Sequence, residues 1–312
     1  MGESKQFCRA PVIMEKSPVP IFVLGSARSG TTWLANILAS HDNVAAATAV
    51  EHHGIHESHV YSYTRYCFPE SVTCCHFFEQ YCLEDYYRIL KIDAEAFCKN
   101  KVGVHKVTRL FRMMMDDYSI RRECDFWLEK TPKHTIYFRE IANDFPDCRF
   151  VAIQREFVSA IKSNLMKYPR KNVSRMRQVA EKVFRYESDR KALHCLKREH
   201  PSRVVVISYE DLVSRYDETV NKIIDDVGLG KQSLVSKYAG DSSYGNNSPT
   251  PAFSMLDLVF MLLCRLIVRS IPFSLLVKWR AKHDRNSVKG IPRSSRLLAR
   301  LQSEAQQGLQ HQ

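Results

Sequence analysis

Eight residues near the start of the chain, Gly25-Ser26-Ala27-Arg28-Ser29-Gly30-Thr31-Thr32, have the glycine spacing of a phosphate-binding loop, with threonine where such a loop carries its lysine. They follow a short apolar run, residues 19–24, and precede Trp33, Leu34, Ile37 and Leu38 at helical spacing. A strand, a tight turn and a helix N-terminus in that order present backbone N–H groups and the positive end of a helix dipole to one anion. Here two hydroxyls and Arg28 are added. Lacking the lysine and magnesium apparatus of nucleotide hydrolysis, the loop is suited to holding an anionic group. Further along, Arg155 follows the apolar run RFVAIQ and Ser163 lies eight residues on in a helical pattern, so the two can converge on a second phosphate.

Between these sites lies Trp127-Leu128-Glu129-Lys130-Thr131-Pro132-Lys133-His134, in which Pro132 suits the first turn of a helix. Lys130, at a strand end, either reaches a bound anion or stands solvated, and Lys106, ending VGVHK, is a second lysine of the same kind. In Ser208-Tyr209-Glu210-Asp211-Leu212 the acids open a helical segment and favour its N-terminus, a structural role.

The loop GSARSGTTWLANIL, the Arg155 and Ser163 pair, the E-K-T-P element and Y-E-D-L together resemble the sulfotransferase superfamily, over roughly residues 19–230. The arginine-bearing loop and E-K-T-P are similar to those of tyrosylprotein and bacterial or carbohydrate sulfotransferases, whereas Glu156-Phe157 stands where the family usually has Asp-Pro. The resemblance implies an α/β three-layer P-loop fold with a mainly parallel central sheet. It also implies a co-substrate, 3'-phosphoadenosine 5'-phosphosulfate (PAPS), held by Ser26, Ala27, Arg28, Ser29, Gly30, Thr31, Thr32, Arg155 and Ser163. The reaction implied is sulfuryl transfer to a hydroxyl, with a lean toward carbohydrate, glycolipid or other amphipathic acceptors and with no metal. Arg28 and Lys130 would face the developing charge.

Such a transfer needs a base for the acceptor proton. Glu51, 23 residues after Arg28, stands near the base glutamate of the tyrosylprotein enzymes, and His53, His56 and Glu57 compete with it. The neighbouring His52, His53, His56 and His59 do not form an H-E-x-x-H metal motif. A closing basic loop of the family is matched only loosely, by 285–290, with Lys289 as a nucleotide contact.

These residues need a scaffold. Apolar runs at 102–107, 125–128, 149–153 and 203–208 alternate with helical stretches, which predicts parallel strands whose carboxyl ends carry the site. The stretch 52–96, rich in His, Tyr, Cys and Phe, reads as helices and loops covering it. The predicted organisation is an N-terminal arm (1–18), the P-loop domain (19–252), an apolar helical extension (253–301) and a polar tail (302–312). Within the extension, 253–279 is interrupted by Asp257, Arg265, Arg269 and Pro272, and its uncharged runs fall far short of the roughly 20 residues that span a bilayer. Its readings are a buried helical pair or an interfacial helix in peripheral contact with a membrane.

Composition narrows the rest. Lys and Arg number 46 against 34 Asp and Glu, a formal +12 over 312 residues, which favours an anionic partner. No nucleic-acid-binding signature accompanies the charge, so no nucleic-acid partner is expected. Ten cysteines without a C-x-x-C pair, and a start lacking a continuous apolar stretch, point to a cytoplasmic protein. The competing functions are a small-molecule kinase, which needs lysine at position 31 and a magnesium-binding acid, and a silent nucleotide-binding protein, which has no need of Arg28 or the candidate bases.

Overall fold

The computed structural model describes residues 17–50, 53–68, 71–80, 89–99, 101, 103–167, 172–235 and 253–288. Its central sheet contains β1 (Val19–Gly25), β2 (Val44–Ala46), β3 (Phe126–Lys130), β4 (Arg149–Gln154) and β5 (Val204–Ser208). The strand order is β2-β3-β1-β4-β5 and every pairing is parallel. All five strands therefore finish on one edge, where the ends of β1, β3 and β4 bring Arg28, Lys130 and Arg155 out together.

The principal helices are α1 (Thr31–Leu38), α2 (Val107–Arg121), α3 (Phe138–Asp144), α4 (Phe157–Lys167) and α5 (Arg175–Glu199). They continue with α6 (Tyr209–Ser214), α7 (Tyr216–Val227), α8 (Met255–Ser270) and α9 (Phe273–Val288). Alternation along β1 sends Phe22 and Leu24 to one face and Ile21 and Val23 to the other, and all four are fully buried. On the first face α2 contributes Leu110, Phe111 and Met114, α3 contributes Ile141, and α5 contributes Leu193 and Leu196. On the second, Leu34, Ile37 and Leu38 of α1 meet Ile223 and Ile224 of α7. This is the three-layer α/β arrangement that the motif order predicts. A third cluster, with Phe157, Ile161, Val183 and Met261, joins α4, α5 and α8.

The structure departs from the sequence reading in three places. The run at 102–107 is not a central strand: Val104–His105 pairs antiparallel with Val72–Thr73, and Val107 already begins α2, whose apolar residues recur at helical spacing. The sheet instead gains the three-residue β2 at its edge, paired parallel with β3. Residues 253–279 do form a helical pair, opened by a Ser254–Asp257 capping box, but the pair is not simply buried. Met261 and Val268 pack inward, whereas Leu256, Leu263 and Leu266 are more than half exposed. No single helix among the described residues is long and apolar enough to cross a membrane; α8 and α9 pass that test only jointly, and they are bent by 107°.

Candidate active site

The loop after β1 is held in shape before any ligand arrives. Thr135 clasps its first residue, accepting from the Gly25 N–H at 2.8 Å and donating to the Gly25 carbonyl at 3.0 Å. A turn closes from the Ser29 N–H to the Ser26 carbonyl at 3.1 Å, and α1 starts with the Leu34 N–H donating to the Gly30 carbonyl. Arg28 and Gly30 both take left-handed backbone, with φ of 71° and 93°. The Ser29 hydroxyl is fully buried in this turn and has no hydrogen-bond partner among the described residues. A buried hydroxyl without a partner, beside the N-terminus of α1, fits an anion seated in the loop.

The second phosphate pair closes on the first. Ser163 of α4 accepts from the Arg28 Nε at 3.3 Å, and Arg155 donates to the Arg28 carbonyl at 3.2 Å. The Arg155 guanidinium lies over the Tyr209 ring, 4.2 Å from its centroid, and Tyr186 of α5 donates to the Arg155 carbonyl at 2.6 Å. Tyr209 also abuts the loop, since a Cβ added to Gly30 would fall 2.6 Å from its ring. Arg28, Arg155 and Ser163 thus form one cationic, hydrogen-bonding wall, aligned by an aromatic floor from the Y-E-D-L element.

The E-K-T-P element divides its labour across the faces of β3. Glu129 points into the core with no exposure and accepts from the Ser58 hydroxyl at 2.7 Å, the Thr131 hydroxyl at 2.6 Å and His134 Nδ1 at 3.0 Å. Because His134 Nε2 accepts from the Tyr61 N–H, the ring proton sits on Nδ1, facing Glu129. Burial would raise the Glu129 carboxyl, but His134 and the two hydroxyls outweigh it and bring it down to about 2. Glu129 therefore pins the 58–61 loop to the sheet.

Lys130, pointing the other way and almost wholly buried, donates to Thr32 of the phosphate loop at 3.2 Å and to Glu57 at 2.7 Å. The other Glu57 oxygen lies 3.3 Å from His59 Nε2. Burial pushes the Glu57 carboxyl up, but Lys130 and His59 pull it further down, so it is ionised at neutral pH. Burial lowers the His59 imidazole to about 4, leaving it neutral there.

A further set of charges backs the loop from α5 and α9. Asp189 and Arg280, both buried, pair at 3.1 Å. Burial raises Asp189 to about 6 despite Arg280, Arg185 and the Ser26 hydroxyl, while Asp189 and Asp284 overcome burial and keep Arg280 firmly charged. Asp284 accepts from the Tyr137 hydroxyl at 2.6 Å. Lys133, its ammonium 4.0 Å from the Tyr63 ring centroid, is brought down to about 8 by burial and by Arg185 and Arg280.

Of the residues expected from sequence, Ser26, Arg28, Ser29, Gly30, Thr31, Thr32, Lys130, Arg155 and Ser163 fall on this one edge, with Ala27 at the exposed tip of the turn. His53 lies in an exposed turn at φ 53°, and its carbonyl accepts from Asn36. His56 is bound through its N–H to the Ala47 carbonyl, and Lys106 caps α2. Glu51 and Lys289 lie outside the described residues. Sequence reasoning missed Lys133, Asp189, Arg280 and Asp284. Lys133 was within reach, three residues after Lys130 in the same motif, but Asp189 and Arg280 are 91 residues apart and neither belongs to a motif. Among the described residues no group of three His, Cys, Asp or Glu side chains gathers to hold a metal ion.

Residues 20–232 match the Sulfotransferase family, and the chain belongs to that family and is a sulfotransferase. Solved structures similar to it include the sulfotransferase domain of the curacin biosynthetic pathway, at 17% identity, with 85% of this chain and 97% of that one covered and a TM-score of 0.47. The sulfotransferase domain of a Synechococcus olefin synthase aligns at 18% identity over 86% and 96% of the two chains, with a TM-score of 0.48. Retinol dehydratase, solved with androsterone and the inactive cofactor PAP, aligns at 14% identity over 69% and 61%, with a TM-score of 0.34. No curated protein matches the chain. The helices α8 and α9, the second of which supplies Arg280 and Asp284, lie beyond the matched residues.

Proposed function

We propose that the chain transfers the sulfuryl group of PAPS to a hydroxyl of a carbohydrate, glycolipid or other amphipathic acceptor, with Glu57 as the base. The observation that carries this reading is Lys130, whose ammonium touches both Thr32 of the phosphate loop and Glu57. PAPS, when bound, supplies an activated sulfuryl group. The buried Ser29 hydroxyl, the loop N–H groups and Arg28 suit its 5'-phosphosulfate end, and Arg155 and Ser163 suit its 3'-phosphate. Lys130 would face the sulfonate and offset its charge, and the Glu57 carboxylate beside it would take the acceptor proton. His59, neutral at the second oxygen, keeps the carboxylate oriented.

The acceptor class rests on the arginine-bearing loop and E-K-T-P element, which resemble those of carbohydrate-type enzymes. A cytoplasmic setting is proposed on the buried thiols of Cys124, Cys148 and Cys195.

The test is a screen with radiolabelled PAPS against saccharides, glycolipids and hydroxylated lipids, followed by Glu57→Gln on whichever acceptor is labelled. Removal of a general base should lower kcat by about 10²–10⁴-fold, with affinity for the desulfated nucleotide unchanged. A variant that keeps its kcat removes Glu57 from the chemistry and returns the choice to Glu51, His53 or His56.

A further inference from the structure

We propose that the outward face of α8 binds the surface of an anionic lipid bilayer, so that the enzyme works as a peripheral membrane protein. Leu256, Val259, Leu262, Leu263, Leu266 and Ile267 recur at spacings of three and four and are each more than half exposed. Such spacing puts them in one row along the helix. The opposite side is fastened to the protein. Met261 packs with Val183 of α5, Arg265 and Arg269 pair with Glu187 at 2.7 and 3.2 Å, and Asp257 pairs with Arg175 at 3.0 Å. A helix held this way cannot turn its row inward.

Its dimensions favour lying on a membrane. Sixteen residues rise about 24 Å, less than the roughly 30 Å hydrocarbon core. The chain then bends by 107° into α9, so the pair does not continue as one span. Charge selects the lipid. In a chain of formal charge +12, residues 253–288 carry six Lys and Arg; Arg265 and Arg269 pair with Glu187 and Arg280 with Asp189, which leaves Lys278, Lys282 and Arg285. Of these, Lys278 and Lys282 are exposed on α9, as is half of Trp279, a side chain suited to the headgroup level. A second copy of the chain is a poorer occupant: a strip about 24 by 10 Å covers roughly 240 Å², well below the roughly 800 Å² per partner of a stable interface.

The inference does not rest on the assigned reaction, and its test does not use activity. The full chain is sedimented with vesicles of phosphatidylcholine, with and without phosphatidylserine, beside Leu263→Glu/Leu266→Glu and Lys278→Glu/Lys282→Glu variants whose melting temperatures match the parent. The expected result is pelleting with the phosphatidylserine vesicles, weakened by salt and by the lysine changes and reduced at least about tenfold by the leucine changes. Failure of the parent to pellet with anionic vesicles overturns the proposal. So does equal pelleting of the leucine variant, or light scattering that shows a dimer which those same changes dissolve while vesicles are ignored.

Discussion

Gly30→Ala probes the joint between the two phosphate sites with a single methyl group. Gly30 has φ 93°, and an added Cβ would lie 2.6 Å from Cδ2 and 3.0 Å from Cε2 of Tyr209. Tyr209 must move, and with it the platform that holds Arg155 at 4.2 Å and aims it at the Arg28 carbonyl. Gly228 supplies the control: it has φ 85° at the end of α7, with no atom within 4 Å of its added Cβ. Left-handed backbone costs an alanine about 1–2 kcal/mol at either position, so both variants should lose that much stability and melt a few degrees lower. Only Gly30→Ala should also lose affinity for 3'-phosphoadenosine 5'-phosphate. Misplacing one cation–π contact and the hydrogen bond it aligns costs about 2 kcal/mol, roughly thirtyfold in Kd. Calorimetric titration and thermal unfolding of the two variants separate the effects. Parental nucleotide affinity in Gly30→Ala would refute the coupling through Tyr209; an equal loss in Gly228→Ala would show that lost stability, not geometry, weakens binding.

Two further substitutions test the supports of the site. Arg280→Met leaves Asp189 buried without its cation and should destabilise the chain by about 3–5 kcal/mol, measured by urea unfolding, with much of the loss recovered in an Asp189→Leu/Arg280→Met double variant. Glu129→Gln removes a carboxylate held near 2 instead of its ordinary 4.5, worth about 3 kcal/mol at neutral pH. Since the folded value is the depressed one, that stability is present above pH 4.5 and disappears as the pH falls toward 2. Unfolding curves of parent and variant should therefore converge in acid, and a gap that persists at pH 2 would contradict the assignment.

The strand-loop-helix at residues 19–38 was legible because local chemistry dictates it: an apolar strand, a turn that needs glycine and a helix whose apolar residues recur at spacings of three and four. Arg155 and Ser163 were legible because a strand end and the next helix are close in sequence as well as in space. The base was not. Glu57 is set apart from His53 and His56 by Lys130, 73 residues away, and spacing within AVEHHGIHES holds no record of that partner. Glu129 and Lys130 looked like one motif and serve opposite faces of β3, which only the pleat reveals. The run at 102–107 alternates like a strand, yet the apolar residues that follow it from Val107 make a better helix than sheet edge.

Sulfuryl transfer from PAPS requires the loop and the Arg155 wall to hold the two phosphates of one nucleotide. Its most direct test is calorimetric titration of the purified chain with 3'-phosphoadenosine 5'-phosphate in the absence of magnesium, against ATP with magnesium, repeated on Arg155→Ala. The expected result is tight magnesium-independent binding of the bisphosphate that collapses in the variant. Preference for magnesium-ATP, or a bisphosphate affinity indifferent to Arg155, would contradict it.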